Sequence, residues 1–545
     1  MCVRVFHMSG ISLGAGKSAS GFWKEVFEDI WQFSSGLEGP HQPVNGYALR
    51  VGCAWWLVDP PADLTADTLR ARVGCDRVAQ VLITHWQSEH VAGILNFPEA
   101  RVLVSAGDAV LARGTQHLLG MVTPWEEPWD WTTRGNYPGH LAGAVNERTL
   151  ETPIMAEPLL KRGWLSEDLG ILSTPGHGKH AVSILFKRRE GVLAFCGDLV
   201  CGDGRLWNWF DCDWDYGLEA GQRALRESAL RLLRCGAKAL LPAHGGILRN
   251  PEAVLRRLVR RLDGVLSHPP KRSRPINRPD IPSPAPGFRQ LTPHIFQYRT
   301  GNTAILKADS GVAVVIDDGL CLWKPPAARH AEHDAIFQDA KRALGITRIA
   351  WLIPTHYHGD HIDGMSRLAR SEGARIIALS SMSGPLESPE NFCLACPLSW
   401  YGTGESRLAI DKQVPEGFQL TWEGPTLEFF HLGGQTWFHL GLQARVDGLN
   451  VLFVGDAWWG TATNPSPVLC WNRAEPASQG WVFALDRMIE RAPDLLVCGH
   501  GSAIHNPLPL LRTARKKWQL RLERFRTLNP HNSPTRFFNP KTDGF

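Results

Sequence analysis

No stretch of this sequence is apolar for long enough to cross a bilayer, and its first ten residues, MCVRVFHMSG, lack the basic-then-apolar order of a secretory signal. Neither a membrane span nor export is expected. Charge of one sign is scarce: the 545 residues carry a formal net charge of +4, too mild for a surface built to neutralise a phosphate backbone. The twelve cysteines show no framework rhythm, which fits reduced thiols and a cytoplasmic setting better than disulfides. The serine-nucleophile pattern GxSxG occurs once, as GISLG (10–14) near the start of the sequence. GISLGAGKS (10–18) falls short of a phosphate-binding loop, because Ile11 stands where that pattern needs Gly. Cys393-Leu-Ala-Cys396 is a lone pair and makes no zinc site by itself.

Two residue types are plentiful, with 22 Trp and 21 His. So is proline in one place: HPPKRSRPINRPDIPSPAPGFRQLTP (268–293) disfavours helix and sheet and favours an extended linker. It separates residues 1–267 from 291–545, with 268–290 read as the linker. The two parts match in order. ITHWQSEHVAG (83–93) corresponds to PTHYHGDHIDG (354–364), each after an apolar run, VAQVL or RIAWLI, suited to a buried strand. ARVLVS (100–105) corresponds to ARIIALS (374–380), STPGHGKH (173–180) to HLGGQTWFH (431–439), VLAFCGD (192–198) to VLFVGD (451–456), and PAHGGILRNP (242–251) to CGHGSAIHNP (498–507).

Spacing supports the duplication. His177 to Asp198 and Gln435 to Asp456 are both 21 residues, and His244 to Pro251 and His500 to Pro507 are both 7. Asn250-Pro251 and Asn506-Pro507 read as helix starts, Asn as N-cap and Pro at the first helical position. The basic helices that follow read as solvated faces, not nucleic-acid patches. Short strands alternating with helices indicate α/β character, and the polar residues of interest follow strand-like runs, where such proteins place ligand sites.

His356, His358, Asp360 and His361 fall within six residues. On extended chain His356 and His358 point the same way. Four such side chains would be costly to bury without a cation, and imidazole with carboxylate is a donor set that metals favour.

HYHGDH resembles the HxHxDH motif of the metallo-β-lactamase superfamily, and the later GGQT, GD and GH segments resemble that family's remaining motifs in order. The resemblance covers both halves. It implies two tandem αββα four-layer sandwiches, each an α+β sandwich with a metal centre at one edge. In the C-terminal half it implies one metal held by His356, His358 and Gln435, a second by Asp360, His361 and His500, and Asp456 bridging them. In the N-terminal half it implies His85, Gln87 and His177 for one metal, Glu89, His90 and His244 for another, and Asp198 bridging. The family's usual metal is zinc, two ions in the C-terminal half and up to two more in the N-terminal half.

This sequence departs from the family's His at Gln435 and Gln87, and from its Asp at Glu89. A Gln carbonyl is a weaker, harder donor, which opens manganese or iron as alternatives. His431 and His439 are candidate replacements for the missing imidazole. Decay usually leaves Ala, Ser or Gly at ligand positions, yet all seven N-terminal positions keep a coordinating side chain.

The resemblance implies metal-assisted hydrolysis. Two ions roughly 3.5–4 Å apart lower the pKa of a shared water toward ~7, and the hydroxide attacks an ester, thioester, lactone, amide or phosphodiester. Asp360 is the residue expected to orient that hydroxide while ligating. The expected partner is a small-molecule substrate, with no nucleic acid and no membrane. Aromatic segments RLWNWFDCDWDYG (205–217), TPWEEPWDWTTRG (123–135), AWWGTATNP (457–465) and LSWYGTG (398–404) are candidate pocket linings. Rival readings are an iron-dependent oxidoreductase or dioxygenase and a metal-stabilised binding scaffold. Duplication also raises an intramolecular pseudo-dimer of the two halves.

Overall fold

The computed structural model describes residues 21–37, 43–113, 156–159, 163–164, 166–207, 212, 219–266, 283–299, 302–319, 326–389, 398, 405–458, 460–461, 464–465 and 480–528. GISLGAGKS, the CxxC pair, segment 123–135 and most of the other aromatic segments lie outside them.

Each half contains two large β-sheets, and the C-terminal half adds a two-stranded pair, Gly460–Thr461 with Asn464–Pro465. In the N-terminal half a seven-stranded sheet runs in chain order from Phe22–Phe27 to Ala156–Leu159, and a five-stranded sheet runs from Ala239–Pro242 back to Gly163–Trp164. In the C-terminal half the seven-stranded sheet runs from Phe288–Thr292 to Lys412–Val414, and the second sheet has six strands, from Gln419–Leu420 to Ile504–His505. That first C-terminal strand begins inside the stretch read as linker, because Phe288 is buried and pairs with Tyr298. Period-two alternation decides the layers. In the N-terminal half Leu49, Val58 and Leu82 face Ile184, Phe195 and Leu241 of the other sheet, while Ala48, Leu57 and Val81 on the opposite face pack with Leu69 of the outer helix Ala66–Val73. The result is a pair of α+β sandwiches.

The outer faces of the two smaller sheets share one helix layer. Pro251–Val265 starts at Asn250, whose side chain accepts from the Ala253 amide, with Pro251 in the first turn, as the sequence suggests. Its buried residues Val254, Leu255, Leu258, Leu262 and Val265 recur every three or four positions. Leu508–Leu528 buries Leu511, Ala514, Trp518, Leu522, Phe525 and Leu528 in the same rhythm. These helices, one from each half, belong to a single core cluster with Ala194 and Leu240 on one side and Leu452 and Leu496 on the other. Each fully buried Leu there contributes roughly 1.5–3 kcal/mol. Arg521, also buried, donates to Glu219 Oε1 (2.6 Å) and to the Val265 carbonyl across the halves.

Asn506 does not cap as expected. It takes φ 49°, its amide donates to the Asp494 carbonyl, and the Pro507 carbonyl accepts the first helical bond from Leu511. The β-hairpin pairing of Ile504–His505 with Leu495–Val497 sets that entry. No helix among the described residues is long and apolar enough to cross a membrane.

Candidate metal centres

Both clusters form where strands end. In the C-terminal half Arg348–Ile353 runs parallel to its neighbours and delivers Thr355 and His356. His358 precedes the short helix Gly359–Ile362, which carries Asp360 and His361. Gln435 lies in the turn between Leu427–His431 and Leu440–Val446, Asp456 follows Leu449–Phe453, and His500 follows Leu495–Val497. The GD motif needs its glycine: Gly455 has φ 46°, and a Cβ there would run into Thr355 of the TH motif. Gly197 repeats this against Thr84, at φ 51°.

Donor atoms of Asp360, His361, Asp456 and His500 lie within 4.8 Å of one another, and so do those of His356, His358 and Asp456. The two groups share Asp456. Its Oδ1 lies 3.1 Å from His361 Nε2, and its Oδ2 lies 3.4 Å from His500 Nε2. Asp360 Oδ2 is 3.2 Å from His500 Nε2 and accepts from Asn302 at 3.0 Å. Gln435 donates Nε2 to Asp456 Oδ2 at 3.0 Å. His439 does not take the missing imidazole's place: it stacks on His356 with 4.5 Å between centroids and donates Nε2 to the Val454 carbonyl. Burial pulls its pKa down to about 3. His431 packs beside Phe483, outside both groups.

The N-terminal cluster has a different shape. Nε2 atoms of His85, His90, His177 and His244 lie 4.0, 3.5, 3.4 and 3.3 Å from one atom, Asp198 Oδ2. Gln87 turns its Oε1 toward His85 Nε2 (3.3 Å) and His177 Nε2 (3.1 Å). His85, His90 and Asp198 form the mutually close group; Glu89, on the helix Ser88–Val91 and half-buried, stands outside it although the sequence equates it with Asp360. Its charge nonetheless acts on His85 and His90. The ring of Trp207 stacks on His244 at 4.3 Å and 5°.

The donor chemistry fits a cation in both halves. His361 Nε2, Asp456 Oδ1 and Gln435 Oε1, and likewise His90 Nε2, His244 Nε2 and Asp198 Oδ1, are buried without a hydrogen-bond partner among the described residues, an arrangement that costs free energy unless something else satisfies those atoms. Burial opposes charge on His90 and His500, but Asp198 and Asp456 respectively outweigh it and raise both rings to about 9. His361 is likewise raised well above its ordinary value, against burial, by Asp456, Asp317 and Asp360. Burial also opposes the Asp456 and Asp198 carboxylates, yet the surrounding imidazoles hold both well below the usual range. His85 and His356 are driven down by burial and by neighbouring imidazoles. Each cluster thus draws positive charge to one carboxylate.

Sequence reasoning missed the supports behind these residues. Asp317 (φ 56°) accepts from the Thr355 amide at 2.6 Å, the Thr355 hydroxyl at 2.7 Å and His361 Nδ1 at 2.8 Å. Asp59 (φ 48°) accepts from the Thr84 amide at 2.8 Å and its hydroxyl at 2.6 Å. The signal was present as an Asp ending an apolar strand in both VVIDDG and WLVDPP.

The model of the metallo-beta-lactamase superfamily matches residues 39–244 and again 299–500. Among solved structures, a metallo-beta-lactamase family protein from Thermus thermophilus is 21% identical, over 44% of this chain and 83% of its own, at a TM-score of 0.34. A metallo-beta-lactamase with a HARLDQ motif from Cronobacter sakazakii is 18% identical, over 46% and 92%, at 0.30. A beta-lactamase from Chitinophaga pinensis is 15% identical, over 44% and 94%, at 0.33. No curated protein matches the chain.

Proposed function

The chain belongs to the metallo-beta-lactamase superfamily, and on that premise we propose that it is a metal-dependent hydrolase whose C-terminal half carries the reacting centre. One observation carries the reading: two groups of donor atoms, Asp360–His361–Asp456–His500 and His356–His358–Asp456, meet at a shared carboxylate. Zinc is the proposed metal, with manganese or iron the alternatives that the Gln435 oxygen favours. When bound, such ions activate water for attack and polarise the substrate oxygen. The chain's own residues then have defined tasks. Asp360, held by Asn302 through its carboxylate and its backbone carbonyl, orients the attacking water. Asp317 fixes the ring of His361. His356 is kept neutral and able to donate a lone pair by burial.

The proposed substrate is a small ester, thioester, lactone, amide or phosphodiester. No disulfide joins the described cysteines, which suits the cytoplasm as the place of action. The shared helix layer supports an intramolecular pseudo-dimer.

The test is hydrolysis of p-nitrophenyl esters, a thioester, a lactone, an amide and bis-p-nitrophenyl phosphate by the full chain. We expect turnover of at least one, abolished by a chelator and by His356→Ala/His361→Ala in a folded variant. Full turnover in that variant would sink the reading. Oxygen consumption with bound iron and no hydrolysis would favour the oxidoreductase. A folded, metal-loaded chain inert to all of them would favour the scaffold.

A further inference from the structure

The two halves differ behind the loop that carries Asp360 and His361. The helix Pro326–Leu344 crosses from the strand Val312–Ile316 to its parallel neighbour Arg348–Ile353. Arg329, His333, Phe337, Ala340 and Leu344 recur every three or four positions along it and are buried. The helix therefore turns two basic side chains inward together with its apolar stripe. His333 Nε2 lies 3.0 and 2.9 Å from the two Asp318 oxygens, and its ring packs beside Phe337 at 5.0 Å. Arg329 Nη1 lies 3.3 Å from Asp363 Oδ1. Burial opposes charge on His333, but Asp318 outweighs it and raises the ring's pKa.

Asp318 and Asp363 bracket the metal loop. The Asp318 amide donates to the His361 carbonyl at 2.7 Å, and the Asp318 carbonyl accepts from the Gly364 amide at 2.8 Å. Asp363 ends the short helix Gly359–Ile362, its amide donating to the Gly359 carbonyl at 2.9 Å. The packing is tight: a Cβ at Gly364 would run into His333 Nε2, and one at Gly319 into the Asp360 carbonyl. The N-terminal half builds the same turn without these charges. Pro60 and Ala92 stand at the positions of Asp318 and Asp363, and the Pro60 carbonyl accepts from the Gly93 amide at 2.9 Å. Pro60 has no amide hydrogen to give the His90 carbonyl, and the crossover helix there, Ala66–Val73, buries an apolar residue, Leu69.

Burying charges is costly even when they are paired, and the N-terminal half shows that the turn forms without them. We infer that Arg329 and His333 are positioning residues for the C-terminal half: each grips a carboxylate flanking the loop, and together they hold the backbone that sets Asp360 and His361. His333 fixes Asp318, whose amide carries the His361 carbonyl, and Arg329 fixes Asp363, which closes the helix bearing Asp360. The inference rests on the proposed metal centre of that half.

The test is the Zn2+ affinity of the full chain, measured by competition with a chromogenic chelator. Binding lost in His356→Ala/His361→Ala defines the share of the C-terminal centre. Arg329→Met/Asp363→Ala removes both charges of one pair, so neither is stranded, and leaves Ala as in the N-terminal half. His333→Leu removes the bond to Asp318, and His333→Gln keeps a donor for it. We expect the C-terminal affinity to fall about 10-fold or more in Arg329→Met/Asp363→Ala and in His333→Leu, in the range for partners behind metal ligands, and to stay near wild type in His333→Gln. A cluster that only stabilised the helix would lower the melting temperature and leave the affinity alone. Unchanged affinity in folded Arg329→Met/Asp363→Ala overturns the inference, and that variant decides even where His333→Leu, which strands Asp318, fails to fold. A fall in His333→Gln as deep as in His333→Leu overturns the part given to the His333 bond. Wild-type Zn2+ binding in His356→Ala/His361→Ala overturns the metal centre itself, and the inference with it.

Discussion

Asp317 shows how much of a metal site lies behind its ligands. It accepts three hydrogen bonds, from the Thr355 amide, the Thr355 hydroxyl and His361 Nδ1, and so turns His361 Nε2 toward Asp456. Asn is tolerated at its left-handed backbone conformation, so Asp317→Asn tests the carboxylate alone. The new amide would face the ring N–H donor to donor, and the ring loses its fixed orientation. Metal affinity should fall about 10- to 100-fold, read by competition with a chromogenic chelator at a melting temperature close to wild type. Unchanged affinity would remove Asp317 from the site. In the N-terminal half Asp59 keeps both bonds to Thr84, but His90 Nδ1 finds no hydrogen-bond partner among the described residues. The same fold therefore holds its second histidine less firmly there.

Between elements, His294 ties the two sheets of the C-terminal half. It sits in the turn between Phe288–Thr292 and Ile295–Tyr298, with Nδ1 2.6 Å from Asp447, at the hairpin of the second sheet, and Nε2 3.0 Å from Asp309. Hydrogen bonds to Asp309 and Asp447 raise its pKa; Asp447 is lowered by Thr292 and His294 against some burial. A raised folded-state pKa stabilises below the unfolded value of about 6.5 and is lost as pH rises through the folded value. On the acid side the contribution fades as pH falls through the lowered pKa of Asp447. His294→Asn should thus cost up to about 1 kcal/mol near pH ~5.5 and almost nothing near pH ~9. Melting curves at both values check it, and an equal loss at both would mean packing, not charge, is what His294 supplies.

At the scale of the whole molecule the halves are joined by a charge as well as by apolar helices. Arg521 lies buried against Glu219 and Val265 of the other half, and Leu206 donates its amide to the Leu528 carbonyl. Replacing one partner of a buried pair leaves an uncompensated charge, at ~3–5 kcal/mol. Arg223 holds the second Glu219 oxygen at 2.8 Å, which places Arg521→Met at the lower end. Calorimetry should show one transition in the wild type and two in Arg521→Met, with Glu219→Gln/Arg521→Met recovering part of the loss. A single unshifted transition in Arg521→Met would show that the pair does not couple the halves.

Sequence by itself determined the duplication and the alternation of strands and helices, because these follow from local pattern, while the layering and the full donor set were expectations carried by the family resemblance of the motifs. Apolar runs such as VAQVL and RIAWLI end in strands that deliver His85 and His356, and Asn250-Pro251 starts its helix as written. It did not determine the turn at Asn506, where pairing of Ile504–His505 overrides local capping preference. Nor did it separate Glu89 from Asp360, since both are carboxylates at matching positions. Only tertiary structure brought four imidazoles to one oxygen of Asp198 while spreading Asp456 over two groups. The reason is physical: side-chain identity is local, but the direction in which a carboxylate points depends on how segments far apart in the chain pack around it.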